Sequence, residues 1–146
     1  MTASTSLRPD ESGVFLISRA LPLLRKRLQG THCAWLKVNL QGVQDKAGFL
    51  AACASDLHFP AHFGGNWDAF ADLINDFAWM PADGYVLVFE QTDEFALEAP
   101  DEYATALEIL RAAADAWRAR NRPFVAVLDY APAGAGVQHL PEPPLT

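Results

Sequence analysis

The chain has 146 residues, of which 51% are hydrophobic and 20% are charged, and this is the size and composition of one globular domain. Its formal net charge is -7, with 18 acidic residues against 11 basic ones. This charge argues against direct binding to nucleic acid or to an anionic membrane surface, because both need a footprint of Lys and Arg. It favours a basic protein partner, which the negative field would attract.

The two cysteines, Cys33 and Cys53, do not form a CxxC pattern, so neither a thiol redox motif nor a cysteine zinc site is expected. The first residues lack an apolar stretch of signal-peptide length, and no segment has the apolar length of a membrane span. We therefore expect a cytoplasmic protein that carries no metal and no cofactor.

The first part of the chain is predicted to contain an arm, a short helix and a strand. Residues 1–13 are polar and are expected to form a flexible arm. A short apolar run, VFLI, follows at 14–17, and ALPLLRKRLQG at 20–30 predicts a short helix. The apolar run AWLKVNL at 34–40 predicts a strand.

The middle of the chain is predicted to contain two helices, a loop between them and a strand. A loop with one proline and two glycines covers 58–66, and a helix follows at 67–78. GYVLVFEQ at 84–91 is nearly continuous in apolar residues, which is typical of a strand buried on both faces. The earlier helix, at 45–57, has an apolar face made by Phe49, Leu50, Cys53 and Leu57.

The last part of the chain begins with an acidic loop or irregular helical turn at 92–100. PFVAVLDY at 123–130 predicts another buried strand, and the segment 131–146, rich in Pro, Gly and Ala, is expected to be disordered. A long helix is predicted at 101–120, and its apolar face consists of Leu107, Leu110, Ala114 and Trp117.

Strands that alternate with helices predict an α/β fold with a parallel sheet and right-handed crossovers. With three strong strands, the sheet is expected to be small and covered by helices on both faces. The domain is expected to comprise residues 14–130, between the arm and the tail. Ligands of such sheets bind at the carboxyl ends of the strands, here near Leu40, Glu90 and Asp129.

The helix predicted at 67–78 carries an acidic stripe. Asp68, Asp72 and Asp76 are four residues apart and therefore lie on one face, bordered by Asn75, and Asn66 is a good N-cap. Like charges at this spacing cost about 0.2–0.5 kcal/mol per pair in an isolated helix. No Lys or Arg occurs between residues 47 and 110 to offset them.

The spacing alone leaves two interpretations of the stripe open, a solvated face or a surface for a cationic partner. The glycine pair before the helix, Gly64 and Gly65, is likewise either a turn that leads into the N-cap or a place where a partner approaches the backbone closely. A phosphate-binding loop is not supported, because the G-x-x-x-x-G-K-[ST] pattern is absent and Asp68 would repel an anion.

The segment HFPAHFGGNWDAFADLINDF, residues 58–77, resembles the second-helix region of the barstar family. AWLKVNLQGVQDKAGFL, WMPADGYVLVFE and RPFVAVL are similar to strands and the first helix of that family, so the resemblance covers residues 34–130. It implies a barstar-like α/β fold: a small three-stranded parallel sheet, with the first strand central and helices on both faces. It also implies an intracellular inhibitor of basic secreted ribonucleases or ribonuclease-type toxins, not an enzyme.

By resemblance, the helix and the loop before it plug the active site of the ribonuclease, and their acidic side chains replace RNA phosphates. Asp68 and Asp72 match the two key inhibitory aspartates, with Asp72 reaching deepest, and Asn66 and Gly64 match the junction of loop and helix. The partner-binding surface is expected to comprise His62, Phe63, Gly64, Gly65, Asn66, Asp68, Ala71, Asp72, Asn75 and Asp76.

Three positions depart from the family prototype. The inhibitory tyrosine is replaced by His62, the interfacial tryptophan by Ala71, and the acidic contact on the later helix by Ala112. These departures leave the identity of the target open. They also leave a second hypothesis open, namely that the chain is a barstar-fold module that binds a protein other than a ribonuclease. In either case we expect a monomer.

A third hypothesis is a metal-dependent hydrolase. His58 and His62 are four residues apart, and Asp68 and Asp72 follow, so the four side chains offer metal ligands or acid–base groups. Pro60 between the histidines argues against a shared helical face. No nucleophile elbow and no zincin pattern occurs, so the sequence favours the inhibitor.

Overall fold

The computed structural model describes residues 6–142. It contains five strands, five α-helices and a 3-10 turn at Pro9–Glu11. In chain order, the strands and helices are β1 (Gly13–Leu16), α1 (Ala20–Leu28), β2 (Cys33–Asn39), α2 (Lys46–Asp56), α3 (Trp67–Asp76), β3 (Gly84–Glu90), α4 (Asp93–Glu98), α5 (Pro100–Ala119), β4 (Phe124–Leu128) and β5 (Gln138–His139). The predicted alternation of strands and helices is confirmed, and the acidic segment at 92–100 contains the short helix α4.

All strand pairs are parallel, and the strands lie in the order β2-β3-β4-β1-β5. The predicted parallel sheet is therefore confirmed, but it has five strands instead of the expected three. The expected central position of the first strong strand is also wrong, because β2 lies at one edge of the sheet. Its composition suits an edge, since Lys37 and Asn39 are exposed, whereas β3 is buried on both faces.

The two additional strands come from segments whose role the sequence left undefined. The apolar run at 14–17 becomes part of β1, which pairs with β4 from Gly13–Val125 to Leu16–Leu128. On its other side β1 pairs with β5, which belongs to the segment that was expected to be disordered. A run of four apolar residues has no periodicity that specifies its neighbours, so these pairings follow from the tertiary structure.

The described parts of the arm and the tail make specific contacts with the sheet. In the arm, the buried Ser12 side chain accepts a hydrogen bond of 3.0 Å from the backbone N–H of Phe124. In the tail, the N–H of the buried Leu140 donates to the carbonyl oxygen of Leu16 at 2.8 Å. The rest of both predicted segments, residues 1–5 and 143–146, lies outside the described residues.

The sheet separates two hydrophobic clusters, so helices cover both of its faces as predicted. Along β3, Tyr85, Leu87 and Phe89 face the larger cluster, which contains α2, α3 and α5, whereas Val86 and Val88 face the smaller cluster beneath α1. The predicted apolar faces of α2 and α5 are buried in the larger cluster. Among residues 6–142, no helix has both the length and the apolar composition that crossing a membrane requires.

Candidate functional site

The acidic helix α3 begins where the sequence places its N-cap. The side chain of Asn66 accepts a hydrogen bond of 2.7 Å from the N–H of Ala69 and so satisfies one free donor of the first turn. Gly65, just before it, has a φ of +71°, in the left-handed region that favours glycine. The helix ends at Asp76, two residues earlier than predicted, because Phe77 turns into the left-handed region.

The two faces of α3 differ as the sequence predicted. Phe70, Ile74 and Phe77 are fully buried in the larger cluster. Asp68, Asp72 and Asp76 are exposed on the opposite face, which we call the acidic face. The burial of three large apolar side chains fixes the rotation of the helix, so the carboxylates face the solvent.

Helix α5 holds α3 at both ends. At the first turn, the indole N–H of Trp67 donates to the carboxylate of Glu102 at 2.9 Å. At the last turn, Trp117 donates to the carbonyl oxygen of Ile74 at 2.8 Å, and Arg120 donates to that of Asn75. These carbonyls lie at the helix C-terminus, where intrahelical donors run out, so α5 supplies what an ordinary C-cap would supply.

The carboxylates of the acidic face have no cationic partner within residues 6–142, where no ion pair involves Asp68, Asp72 or Asp76. Asp76 differs from the other two, because its side chain accepts a hydrogen bond of 2.9 Å from the N–H of Ala78. Arg120, at the same end of the helix, contacts a carbonyl oxygen and stacks on Trp117 with 3.9 Å to the ring centroid. Asp68 and Asp72 are therefore the side chains best placed to meet an external cation.

The loop before α3 combines exposed and packed residues. His62, Gly64 and Gly65 are exposed, and they lead directly to the N-cap. Phe63 is half-buried and packs edge-on against Phe59, with 4.9 Å between ring centroids. The loop therefore presents His62 and a bare backbone, while Phe63 anchors it to the core.

The remaining predicted site residues of α3, Ala71 and Asn75, are less exposed than its three aspartates. Ala71 is half-buried, and Ala112, where the prototype has an acidic contact, is exposed on α5. Asn75 is also half-buried and donates its amide N–H to the carbonyl oxygen of Ala71 at 2.8 Å. Its Oδ1 is buried and has no partner among the described residues. Asn75 is thus engaged with its own helix rather than presented like Asp72.

The hypothesis of a metal-dependent hydrolase requires a group of side chains that could bind a metal ion. In the part of the chain that the structure describes, no three His, Cys, Asp or Glu side chains come together as a group that could hold a metal ion. His58 and His62 are both exposed, and they do not combine with Asp68 and Asp72 into such a group.

The residues on α5 that hold α3 were not predicted from the sequence. Glu102, Trp117 and Arg120 follow the acidic helix by 26 to 44 positions, and no spacing rule connects residues across such distances. The signal present in the sequence is indirect: a tryptophan at the start of an amphipathic helix carries a polar N–H that needs an acceptor when its ring is packed.

A sequence model of the family described as "Barstar (barnase inhibitor)" matches residues 33–129, about two thirds of the chain. The chain belongs to the barstar family. The region shared with barstar extends from the first residue of β2 to the residue after β4 and includes α3 with its acidic face. β1, α1 and β5 lie outside that region, so this barstar-family chain adds a strand pair and a helix to the shared core.

No curated protein has a sequence that matches the chain. Among solved structures, a chain in the structure of Drosophila ORC bound to AT-rich DNA and Cdc6 is similar, with 18% sequence identity and a TM-score of 0.39. The similarity covers 84% of this chain and 42% of that chain, so this chain spans less than half of that chain's length. At such a TM-score the similarity carries no argument about function.

Proposed function

We propose that this barstar-family protein inhibits a basic ribonuclease by inserting the acidic face of α3 into the active site of the enzyme. The observation that carries the proposal is that Asp68 and Asp72 are exposed on α3 and form no ion pair within residues 6–142. The protein acts by binding and not as an enzyme. As an immunity protein or antitoxin, it works in the cytoplasm of the cell that makes the ribonuclease.

The proposed mechanism is phosphate mimicry. A ribonuclease active site holds Arg, Lys and His side chains that bind RNA phosphates. The carboxylates of Asp68 and Asp72 form charge-assisted hydrogen bonds with those groups, and a guanidinium can bind a carboxylate in a bidentate manner. The net charge of -7 speeds the encounter with a basic enzyme and disfavours binding to RNA itself.

The surroundings of the two carboxylates support a rigid insert. Gly64 and Gly65 place a backbone without side chains beside the start of α3, so the rim of the enzyme can approach closely. α3 is held to α5 at both ends, and little conformational entropy is therefore lost on binding. His62 is exposed on the same loop and contacts the rim of the site.

The test is inhibition of RNA hydrolysis by the purified full-length protein, across a panel of small basic ribonucleases. For each ribonuclease that is inhibited, the dissociation constant is measured for the parent, for Asp72→Ala and for Asp83→Ala. Asp83 is exposed and lies outside α3, so its substitution makes the same change in net charge away from the acidic face. We expect Asp72→Ala to abolish most of the inhibition and Asp83→Ala to leave it nearly unchanged.

Two results would contradict the proposal: inhibition of no ribonuclease in the panel, or equal binding by the parent and Asp72→Ala. The alternative of a barstar-fold module with another protein partner draws on His62, Ala71 and Ala112, where the family prototype has larger or acidic side chains. It would be favoured if a basic protein without ribonuclease activity bound through Asp72 while the whole panel remained active.

A further inference from the structure

The contact between Trp67 and Glu102 joins the start of the acidic face to α5. Trp67 is the first residue of α3, next to Asp68, and its indole N–H donates to the Glu102 carboxylate at 2.9 Å. Both side chains are half-buried. The same indole packs on Phe49 of α2 and on Phe70, with 5.6 and 5.9 Å between ring centroids.

The indole is therefore held on its apolar faces by aromatic rings and on its polar edge by one carboxylate. The aromatic contacts determine how far the indole ring inserts into the core, and the hydrogen bond fixes the orientation of the ring about the axis of α3. A hydrogen bond to an ionised acceptor in a partly buried site is stronger than one between neutral groups. Glu102 itself lies in the first turn of α5, where the helix dipole favours a negative charge.

The first turn of α3 needs such support, because the turn has few internal hydrogen bonds of its own. Ala69 donates to the side chain of Asn66 and Phe70 donates to the carbonyl oxygen of Asn66, and the residue before this cap is a glycine. Without the link to α5, fraying of this turn would displace the carboxylate of Asp68.

We infer that Glu102 is a positioning residue of the acidic face, which orients Trp67 and thereby holds the first turn of α3, with Asp68, in its binding geometry. For its effect on a partner, this inference rests on the proposed inhibition of a ribonuclease. Glu102 acts through Trp67 and does not itself contact the enzyme.

The experiment combines a measurement without a partner and one with it, on full-length Glu102→Ala, Glu102→Gln, Trp67→Phe and the double variant of Glu102→Ala with Trp67→Phe. Amide hydrogen exchange of Ala69 and Phe70 reports the order of the first turn in the free protein. The dissociation rate reports the geometry toward whichever ribonuclease of the panel is inhibited. Asp101→Ala is the matched control, since it removes an exposed acidic side chain from the same turn of α5.

We expect Glu102→Ala and Trp67→Phe each to raise the hydrogen-exchange rate and the dissociation rate about tenfold. This is the effect expected from the loss of one hydrogen bond to a charged group. The double variant should resemble either single variant, because both remove the same interaction. Glutamine retains an acceptor oxygen but not the charge, so Glu102→Gln should fall between the parent and Glu102→Ala. Asp101→Ala should stay close to the parent.

Unchanged hydrogen exchange at Ala69 and Phe70 in Glu102→Ala would overturn the inference. So would a double variant whose rate increase equals the product of the increases in the two single variants, because the two residues would then act independently. If no ribonuclease binds, the proposed function fails while hydrogen exchange still decides whether Glu102 orders the turn. If a ribonuclease binds through Asp72 but dissociates equally fast from the parent and Glu102→Ala, the proposed function stands and the inference fails.

Discussion

The indole N–H of Trp117 donates a hydrogen bond of 2.8 Å to the carbonyl oxygen of Ile74, and both residues are fully buried. In a longer helix the N–H of Ala78 would occupy that carbonyl, but it donates to the Asp76 side chain instead. Trp117 therefore completes the C-terminus of α3 from a different helix. The orientation of the acidic face thus depends on a tryptophan that is itself buried in the core.

Replacement of Trp117 by phenylalanine should lower the free energy of unfolding by about 1–3 kcal/mol, because it leaves the buried carbonyl oxygen of Ile74 without a donor. The ring that supports Arg120 is also reduced in area. Urea unfolding, followed by circular dichroism, measures the change.

The matched control for that substitution is Trp35→Phe. The indole N–H of Trp35 is buried but has no hydrogen-bond partner within residues 6–142, so its removal should be neutral or slightly stabilising. An equal loss of stability in Trp35→Phe and Trp117→Phe would show that ring volume, and not the bond to Ile74, makes the difference.

Asp72 and Asp76 should contribute unequally to binding, although both are exposed on the same face of α3. We expect Asp72→Ala to cost about 2–5 kcal/mol of binding free energy, the usual cost of removing one partner of a buried charge pair. The complex of barnase with barstar, the inhibitor after which this family is named, is among the systems from which that range was measured. Asp76→Ala should cost less, because its carboxylate is engaged with Ala78 and lies at the end of the helix that Arg120 contacts.

Calorimetric titration against an inhibited ribonuclease measures both losses. The association rate should also fall as salt is added, since steering acts over about 10 Å at 0.1 M ionic strength. Equal losses for the two substitutions would mean that the acidic face binds by net charge alone.

The stability of the protein should decrease at alkaline pH through Tyr103. Burial, with a further contribution from the Asp129 charge, raises the pKa of Tyr103 to about 12, from an ordinary value near 10. Its hydroxyl donates to the carbonyl oxygen of Tyr130 at 2.8 Å. Because the folded pKa is the higher one, this stability is complete below pH 10 and is lost as the pH rises through about 12.

The expected loss is at most about 2–3 kcal/mol at full ionisation, since solvent screens part of the interaction. Unfolding free energies measured between pH 8 and pH 12 on the parent and on Tyr103→Phe test it. The variant should start lower, having lost one hydrogen bond, and should decline less steeply. The pKa of Tyr85 is also raised, chiefly by burial, so the unfolding free energy of both proteins should retain some dependence on pH. Parallel pH profiles would contradict the role of Tyr103.

The two cysteines should differ in reactivity and remain unlinked. Cys53 is fully buried in the larger cluster, and burial raises the pKa of its thiol well above the ordinary value. Cys33 is half-buried against the smaller cluster, on the other side of the sheet. Since the thiolate is the reactive form, alkylation of the native protein should modify Cys33 first.

Peptide mass spectrometry after brief and prolonged alkylation distinguishes the two sites. Modification of Cys53 should require global unfolding and should follow the urea midpoint. Labelling of both sites at one rate under native conditions would indicate that α2 opens locally.

The arm should contribute to stability through Ser12. Its hydroxyl oxygen accepts the buried N–H of Phe124, and Ser12→Ala leaves that donor unsatisfied, at a cost of about 1–3 kcal/mol. Ser6→Ala, at an exposed position in the same segment, is the control and should leave the urea midpoint unchanged. An unaffected midpoint in Ser12→Ala would contradict this contribution of the arm to stability.

The sequence by itself determined the local features of the acidic face. Asn66 is recognisable as an N-cap, and the spacing of Asp68, Asp72 and Asp76 places them opposite the apolar residues, because helical periodicity repeats within one or two turns. The buried strand β3 is likewise recognisable from its continuous apolar run. These features depend on neighbours along the chain, and the resemblance to a family rests on the same local segments.

Only the tertiary structure decided which distant groups meet. The four residues of β1 have no pattern that selects β4 and β5 as neighbours. Likewise, β2 lies at an edge because β3 pairs with both β2 and β4, which no local pattern specifies. The bonds from Trp67 to Glu102 and from Trp117 to Ile74 join positions 35 and 43 residues apart. Every residue except proline carries the same backbone N–H and C=O groups, so the sequence does not mark which of them will pair with a distant side chain. The packing of the helices determines those pairs. The sequence thus determines the charge of the acidic face, and the fold determines how firmly α3 holds it.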